Sequence, residues 1–144
     1  MNYEQSYALK NADPKYTAFD VKIRDAHQEK RRINSKQCVV MRELCQLNHA
    51  LDLVRSKSWD FESTPAKTDK VLEESTGIDG EGWFWAYHNA AEEMEKTMIQ
   101  KCIKVANLAA NYDVCSERIA ALSAKQKEYG DKIVQQHKEK EATA

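Results

Sequence analysis

Apolar residues recur at alternating steps of three and four along most of the chain, a spacing typical of one face of an α-helix. The first series follows Asp13-Pro14, where Asp suits an N-cap and Pro the first helical position. Its members are Tyr16, Phe19, Ile23, Ala26, Lys30, Ile33, Gln37, Val40, Leu44, Leu47, Leu51 and Val54. No Gly or Pro interrupts residues 15–58, so we predict a long helix over 14–58.

A second series with the same spacing occupies the last third of the chain. Its members are Phe84, Tyr87, Ala91, Met94, Met98, Lys101, Val105, Leu108, Tyr112, Cys115, Ile119, Leu122, Gln126, Tyr129, Ile133 and Gln136. We call the two series together the heptad seam. The second series predicts a helix over 83–136, followed by a polar, frayed tail over 137–144.

Residues 59–82 lack this spacing and are predicted to be a linker. Thr64-Pro65 is a second cap-plus-proline start, which predicts a short helix ending near Gly77. Three glycines within residues 77–82 indicate a loop. A short helix over Tyr3–Lys10 is also predicted before the first long one.

The predicted fold class is all-α: one helical domain over 1–144, with two long antiparallel helices in a coiled-coil-like hairpin plus short helices. Both long helices also carry apolar residues outside the heptad seam, which something should cover. We expect dimerisation to complete a bundle, and the alternative is a monomeric bundle closed by the short helices. These residues are Cys38, Met41 and Cys45, and then Ile99, Cys102, Ile103, Ala106, Ala109 and Ala110.

Composition supports a helical protein of the cytoplasm. The 4 glycines and 2 prolines are too few for a turn-rich fold, and no apolar run approaches the ~20 residues that span a bilayer. The N-terminus has no apolar segment of a secretory signal. The four cysteines form no CxxC pair, so we expect reduced, buried thiols in a reducing compartment.

An aromatic cluster flanks the linker and supplies the candidate partner-binding residues. Trp83 and Trp85 point about 200° apart on a helix, so one seam cannot bury both. Aromatic residues are enriched in binding hot spots, whereas the alternative is a hydrophobic plug at the end of the hairpin with the linker folded over it. The candidates are Trp59, Phe61, Trp83, Trp85 and Tyr87.

Charge is unevenly distributed, although the net charge is −1. Residues 1–58 carry a net +4, residues 59–96 a net −7 and residues 97–144 a net +2. A basic stretch over 22–42 is the candidate nucleic-acid-binding face, and the alternative is a solvated face or one that pairs with the acidic segment 60–81 or with a neighbouring subunit. Its candidate residues are Lys22, Arg24, Arg31, Arg32 and Arg42.

No pattern in the chain indicates catalysis. The four histidines stand apart from any nucleophile in a strained turn, so we expect no catalytic residues and no cofactor. Cys45 and His49 have ligand spacing on a helix but lack a second pair, so no metal site is expected.

The leading hypothesis is therefore a non-enzymatic protein-binding module: an adaptor, assembly factor or stoichiometric inhibitor. Its expected partners are a second copy of itself and an unidentified protein, and no membrane. One alternative is a nucleic-acid-binding protein that uses residues 22–42. Another is a structural subunit of a larger helical assembly, of a viral or accessory kind.

Overall fold

A computed structural model describes the backbone of residues 1–63 and 80–144, and the side chains of residues 1–56, 82 and 84–144. These parts of the chain contain three α-helices and no strand. Helix α1 spans Tyr3–Asn11, α2 spans Pro14–Ser63 and α3 spans Gly80–Thr143. The all-α prediction is confirmed, and so is the short N-terminal helix.

Side-chain caps start the first two helices. In α1 the backbone N–H of Gln5 donates to the Asn2 side chain at 2.9 Å, and the N–H of Asn2 donates to the Gln5 side chain at 3.1 Å, a capping box. In α2 the Asp13 carboxylate accepts from the N–H groups of Lys15 at 2.8 Å and Tyr16 at 3.1 Å. The predicted Asp13-Pro14 start is confirmed.

The long helices extend past their predicted bounds. Helix α2 continues to Ser63 instead of ending at 58, and α3 starts at Gly80 instead of 83. The loop prediction was wrong for residues 80–82, which form the first turn of α3. Glycine costs a helix only about 1 kcal/mol relative to Ala, so it weakens the turn without excluding it. The predicted short helix from Thr64 and residues 77–79 of the loop lie outside the described residues.

The polar tail is helical as far as Thr143, where fraying was predicted. Its Lys, Glu and Ala residues have high helix propensity, which continues the helix without an apolar face. The Thr143 hydroxyl also donates to the Glu139 carbonyl at 3.1 Å.

The heptad seam faces inward along both helices. All twelve of its α2 residues are buried or half-buried, and so are fifteen of its sixteen α3 residues, Gln136 being exposed. The buried apolar side chains of the described residues are few, and at 2% exposure Leu51 is the largest side chain with almost no exposed surface. They are Ala26, Ile33, Val40, Leu51 and Ala91.

The chain divides into two compact units, each built from segments of both long helices. Unit 1 contains Met1–Lys36 and Leu108–Ala144, and unit 2 contains Gln37–Asn107. The single domain over 1–144, the hairpin as a whole and its completion by a second copy stay predictions.

Unit 1 is joined by polar contacts between α2 and α3. The Tyr129 hydroxyl donates to the Asp13 carboxylate at 3.1 Å, so the cap of α2 also holds α3. The Gln126 side chain donates to Asp20 at 2.6 Å and to the Tyr16 carbonyl at 3.4 Å. Early residues of α2 therefore meet late residues of α3, and the two segments are antiparallel in this unit.

Gly130 is buried in unit 1 where other residues approach the α3 backbone closely. A Cβ at this position would lie 2.8 Å from a ring carbon of Tyr16 and 3.2 Å from the Lys10 side chain. Glycine therefore permits close packing here, and its weak helix propensity is the cost.

Unit 2 combines an apolar seam with ion pairs between the helices. The Lys101 ammonium donates to the Glu43 carboxylate at 2.6 Å, and Arg55 donates to Glu95. Lys101 is a polar member of the heptad seam, and this bond explains its place there. The α2 and α3 segments are antiparallel in this unit as well.

Candidate protein-binding surface

An open apolar groove of about 610 Å³ lies between the α2 and α3 segments of unit 2. Six of its nine lining residues are apolar or sulfur-containing. The lining residues are Asn48, Leu51 and Arg55 from α2, and Glu95, Met98, Ile99, Cys102, Ile103 and Ala106 from α3. We call this feature the unit 2 groove.

The α3 wall of the groove is the second apolar stripe that the sequence contains. Ile99 and Ile103 are 61% and 56% exposed, although both line the groove, and Cys102 and Ala106 are exposed as well. These positions are three or four residues apart, so they share one side of α3. Within the described residues the stripe is uncovered, which is the condition that led us to expect a partner.

The α2 side of the groove continues into further exposed apolar positions. Met41 and Cys45 are exposed, and with Asn48 they are spaced by four and three residues along one side of α2. Asn48 lines the groove, so this apolar side of α2 adjoins it.

The rim of the groove carries one cation and one anion, Arg55 and Glu95, which form an ion pair across its end. Glu43 and Lys101 lie outside the lining and join the helices elsewhere in the unit. The hydrogen bond from Lys101, followed by the charges of Lys101 and Lys104, lowers the pKa of the Glu43 carboxyl. The floor of the groove itself is free of charge.

The expectation of buried cysteines was wrong for three of the four thiols. Cys38, Cys45 and Cys102 are exposed, and Cys115 is half-buried. The three exposed thiols lie outside the heptad seam, whose residues occupy the buried positions, whereas Cys115 is a seam residue. No group of three potential metal ligands occurs in the described part of the chain, and the Cys45 and His49 pair gains no third ligand there.

The predicted aromatic cluster is described in part. Trp85 is 50% exposed, and its ring centroid lies 5.3 Å from that of Phe84 and 5.5 Å from that of His88, both edge-on. Phe84 and Tyr87 are half-buried, as members of the heptad seam. The side chains of Trp59, Phe61 and Trp83 lie outside the described residues.

The predicted nucleic-acid-binding residues are all exposed, four of them in unit 1 and Arg42 in unit 2. Arg24 and Arg31 share one side, and each stands two positions, or about 160°, from a buried seam residue. Arg32 pairs with Glu29 at 3.3 Å. Lys22 is two positions before Arg24, so it points about 200° away from it, and Arg42 belongs to unit 2.

Sequence reasoning missed the polar part of the unit 2 groove. Asn48 and Arg55 are seven residues apart, so helical spacing alone puts them on one side of α2. Polar pairs with this spacing occur on most helix surfaces, however, and nothing in the spacing identifies Glu95 as the partner of Arg55.

No family model, no curated protein and no solved structure matches this chain. Within residues 1–63 and 80–144, no helix combines the length and the apolar character needed to cross a lipid bilayer.

Proposed function

We propose that this chain is a non-enzymatic protein-binding module that acts as a homodimer, with the unit 2 groove as its binding surface. The observation that carries the proposal is the exposure of Ile99 and Ile103 on the wall of an apolar groove. Such surfaces are uncommon on monomeric proteins except at interaction sites. Adaptor, assembly factor and stoichiometric inhibitor are the roles that fit a module of this kind.

Burial of the exposed stripe would supply a useful part of the binding free energy. Fully burying an Ile side chain is worth about 1.5–3 kcal/mol. Ile99 and Ile103 have more than half of that gain still available, because both are more than half exposed. Trp85, which is half exposed, offers a second anchor for a protein partner.

Binding fits the chemistry of the groove better than catalysis does. Its lining has a single carboxylate, paired with Arg55, and no histidine. General acid–base chemistry requires a titratable group held near the reacting atoms, usually with a shifted pKa. The proposal includes a reducing, cytoplasmic setting, since exposed thiols such as Cys38 and Cys102 oxidise readily elsewhere.

Nucleic-acid binding has weaker support than protein binding. Lys22 points away from Arg24 and Arg31, and Arg32 is paired with Glu29. A phosphate-binding face would hold its cations on one side of the helix. Binding that falls steeply with salt would revive this alternative.

The test is the solution mass of the full chain and of an Ile99→Ser/Ile103→Ser variant, measured by analytical ultracentrifugation. We expect twice the chain mass of 16.6 kDa for the wild type and the monomer mass for the variant. Val114→Ser is the matched control, because Val114 is also 61% exposed on α3 but lies in unit 1. A wild-type monomer, or a variant that keeps the dimer mass, contradicts the proposal.

A further inference from the structure

We infer that unit 1 has a binding surface of its own, formed by both long helices, that takes the phosphate backbone of a nucleic acid. This surface is one flank of the heptad seam and is separate from the unit 2 groove, on which the proposed function depends. It uses Lys22 but not Arg24, Arg31 or Arg42, so it differs from the basic stretch of α2 considered above.

Six cations of unit 1 hold the same position beside the heptad seam. Each stands directly before a seam residue that is followed three positions later by another, as Lys22 stands before Ile23 and Ala26. Since seven residues turn a helix by about 700°, cations seven or fourteen residues apart keep to one side of it. We call these exposed residues the basic flank: Lys15, Lys22 and Lys36 from α2, and Arg118, Lys125 and Lys132 from α3.

The two rows of the basic flank lie on the same side of the helix pair. The Lys15 ammonium lies 5.2 Å from the centre of the Tyr129 ring, and Lys132 follows Tyr129 by about one helical turn. The two segments are antiparallel, so Lys22 and Lys125 hold the equivalent places, seven residues on in α2 and seven back in α3. Lysine therefore stands opposite lysine at two successive levels of this flank.

Acids of the opposite helix do not neutralise these lysines. Within the described residues, each ion pair of unit 1 joins two residues of a single helix, and Lys22 and Lys125 take part in none of them. In unit 2 the same position in α2 is Glu43, which accepts a hydrogen bond from Lys101 of α3 at 2.6 Å. Opposite charges meet on this flank in unit 2, whereas like charges leave it open to an anion in unit 1.

The two flanks of the seam in unit 1 differ in charge. Besides its six cations, the basic flank has two acids, Glu29 and Glu139, which accept hydrogen bonds from Arg32 and Gln135 of their own helices. The positions directly after the same seam pairs include no Lys or Arg. They are Asp20, His27, Asn34, Ala109, Ser116, Ser123, Gly130 and His137. Positive charge is therefore concentrated on one side, although the whole chain has a net charge of −1.

A nucleic acid fits this flank better than an acidic protein does. Protein interfaces have an apolar or aromatic core, and the flank positions of unit 1 include no apolar side chain. Affinity for nucleic acid comes largely from contacts between cations and phosphates. Residues seven apart are about 10.5 Å apart along a helix, so the α2 row extends for about 31 Å. One strand of a duplex presents about nine phosphates over that length.

The experiment measures binding of the full-length chain to a fluorescein-labelled DNA duplex of about 30 base pairs, by fluorescence anisotropy between about 50 and 200 mM salt. A single-stranded DNA of the same sequence is a second probe, and polyglutamate is the competitor. The test variant is Lys22→Gln/Lys125→Gln. The matched control, Arg24→Gln/Lys127→Gln, removes two exposed cations from the same helices of unit 1 but outside the basic flank.

We expect the test variant to bind the DNA about ten-fold or more weakly than the wild type at about 0.1 M salt, and the control to bind nearly as well as the wild type. The slope of log K against log salt should fall by about 2 for the test variant, since two phosphate contacts are lost. Glutamine is a good helix former, so both variants should keep the helical signal in circular dichroism. If Lys22→Gln/Lys125→Gln unfolds the chain, Lys36→Gln/Arg118→Gln is the second test variant, with the same expected loss.

Three results would overturn the inference. The first is a wild-type chain that binds neither DNA at about 50 mM salt. The second is an equal loss of affinity in the test variant and in the control, which would make the attraction one of overall charge. The third is displacement of the duplex by polyglutamate at equal charge concentration, which would make an acidic protein the occupant. Tighter binding of the duplex or of the single strand supports the inference and identifies which form the flank takes.

Discussion

Units 1 and 2 use the same two helices but hold them together differently. In unit 1, polar and aromatic side chains reach from α3 to α2: Tyr129 donates to Asp13, and the Lys30 ammonium lies 4.7 Å from the centre of the Tyr112 ring. In unit 2 the helices meet through an aliphatic seam with ion pairs beside it, and an apolar groove stays open. Both units leave apolar side chains exposed, Tyr3, Tyr7, Val21 and Val114 among them in unit 1, but the apolar groove lies in unit 2.

The largest expected effect tests whether unit 2 depends on its narrow seam. Val40 is 3% exposed and its neighbour Val39 is 51% exposed. We expect Val40→Ala to lower the free energy of unfolding by about 2–3 kcal/mol, because it removes buried methyl groups and leaves a cavity. Val39→Ala should change it by less than about 0.5 kcal/mol.

Urea unfolding followed by circular dichroism measures both variants. Equal effects of the two substitutions would mean that the seam is not the source of stability in unit 2. Native-state hydrogen exchange then shows whether the loss for Val40→Ala is confined to residues 37–107, as separate closure of the two units predicts.

A smaller effect tests the polar closure of unit 1. Asp13→Ala removes the N-cap of α2, worth about 1–2 kcal/mol, and also removes the acceptor of the Tyr129 hydroxyl. We therefore expect a loss somewhat larger than that of an ordinary cap. Asp13→Asn is the control, since its amide oxygen still accepts from the N–H groups of α2.

A double-mutant cycle with Tyr129→Phe identifies the second role of Asp13. If Asp13→Ala and Tyr129→Phe have additive effects on the free energy of unfolding, the two side chains act independently and their hydrogen bond does not stabilise unit 1. Non-additive effects would show that this hydrogen bond holds α3 to the start of α2.

The smallest effect separates the two units by pH. Lys101 lowers the pKa of Glu43 in unit 2. The contribution of the Glu43–Lys101 contact to stability is therefore complete above the ordinary pKa of 4.5, and it is lost as the pH falls through the lowered pKa of Glu43. We expect Glu43→Gln to remove part of the acid-induced loss of stability, measured as the urea midpoint from pH 7 to pH 3.

Unit 1 should respond at the opposite end of the scale. Burial, and then the hydrogen bond to Asp13, raises the pKa of Tyr129 above 10.0. The folded state favours the neutral phenol of Tyr129. Its contribution to stability is therefore complete below pH 10.0 and is lost as the pH rises through the raised pKa. Tyr129→Phe should reduce the alkaline loss of stability and leave the acid side unchanged, while Glu43→Gln does the reverse.

Helical periodicity predicted the buried face of each helix well. Nearly every residue chosen by spacings of three and four is buried or half-buried, because burial on a helix repeats every 3.6 residues. The same rule found the stripe at Ile99 and Ile103. It also found the start of α2, because Asp and Pro have position-specific roles at a helix N-terminus.

Periodicity does not say which residues face each other across two helices. The bond from Gln126 to Asp20 joins positions 106 residues apart, and no local pattern relates them. Gly130 reads as a helix breaker in the sequence, although its absent side chain makes room for the Tyr16 ring. The exposure of Cys102 likewise depends on what packs beside α3 and not on the helix itself.

The order of the two units along the chain has a consequence for synthesis. Unit 2 is continuous in sequence and is nested between the two segments of unit 1. A ribosome therefore releases all of residues 37–107 before any of residues 108–144, and domains generally begin to fold as they emerge. Once unit 2 has formed, it shortens the effective loop that Tyr129 and Asp13 must close. Growing chains thus expose the Ile99 and Ile103 face while unit 1 is still incomplete.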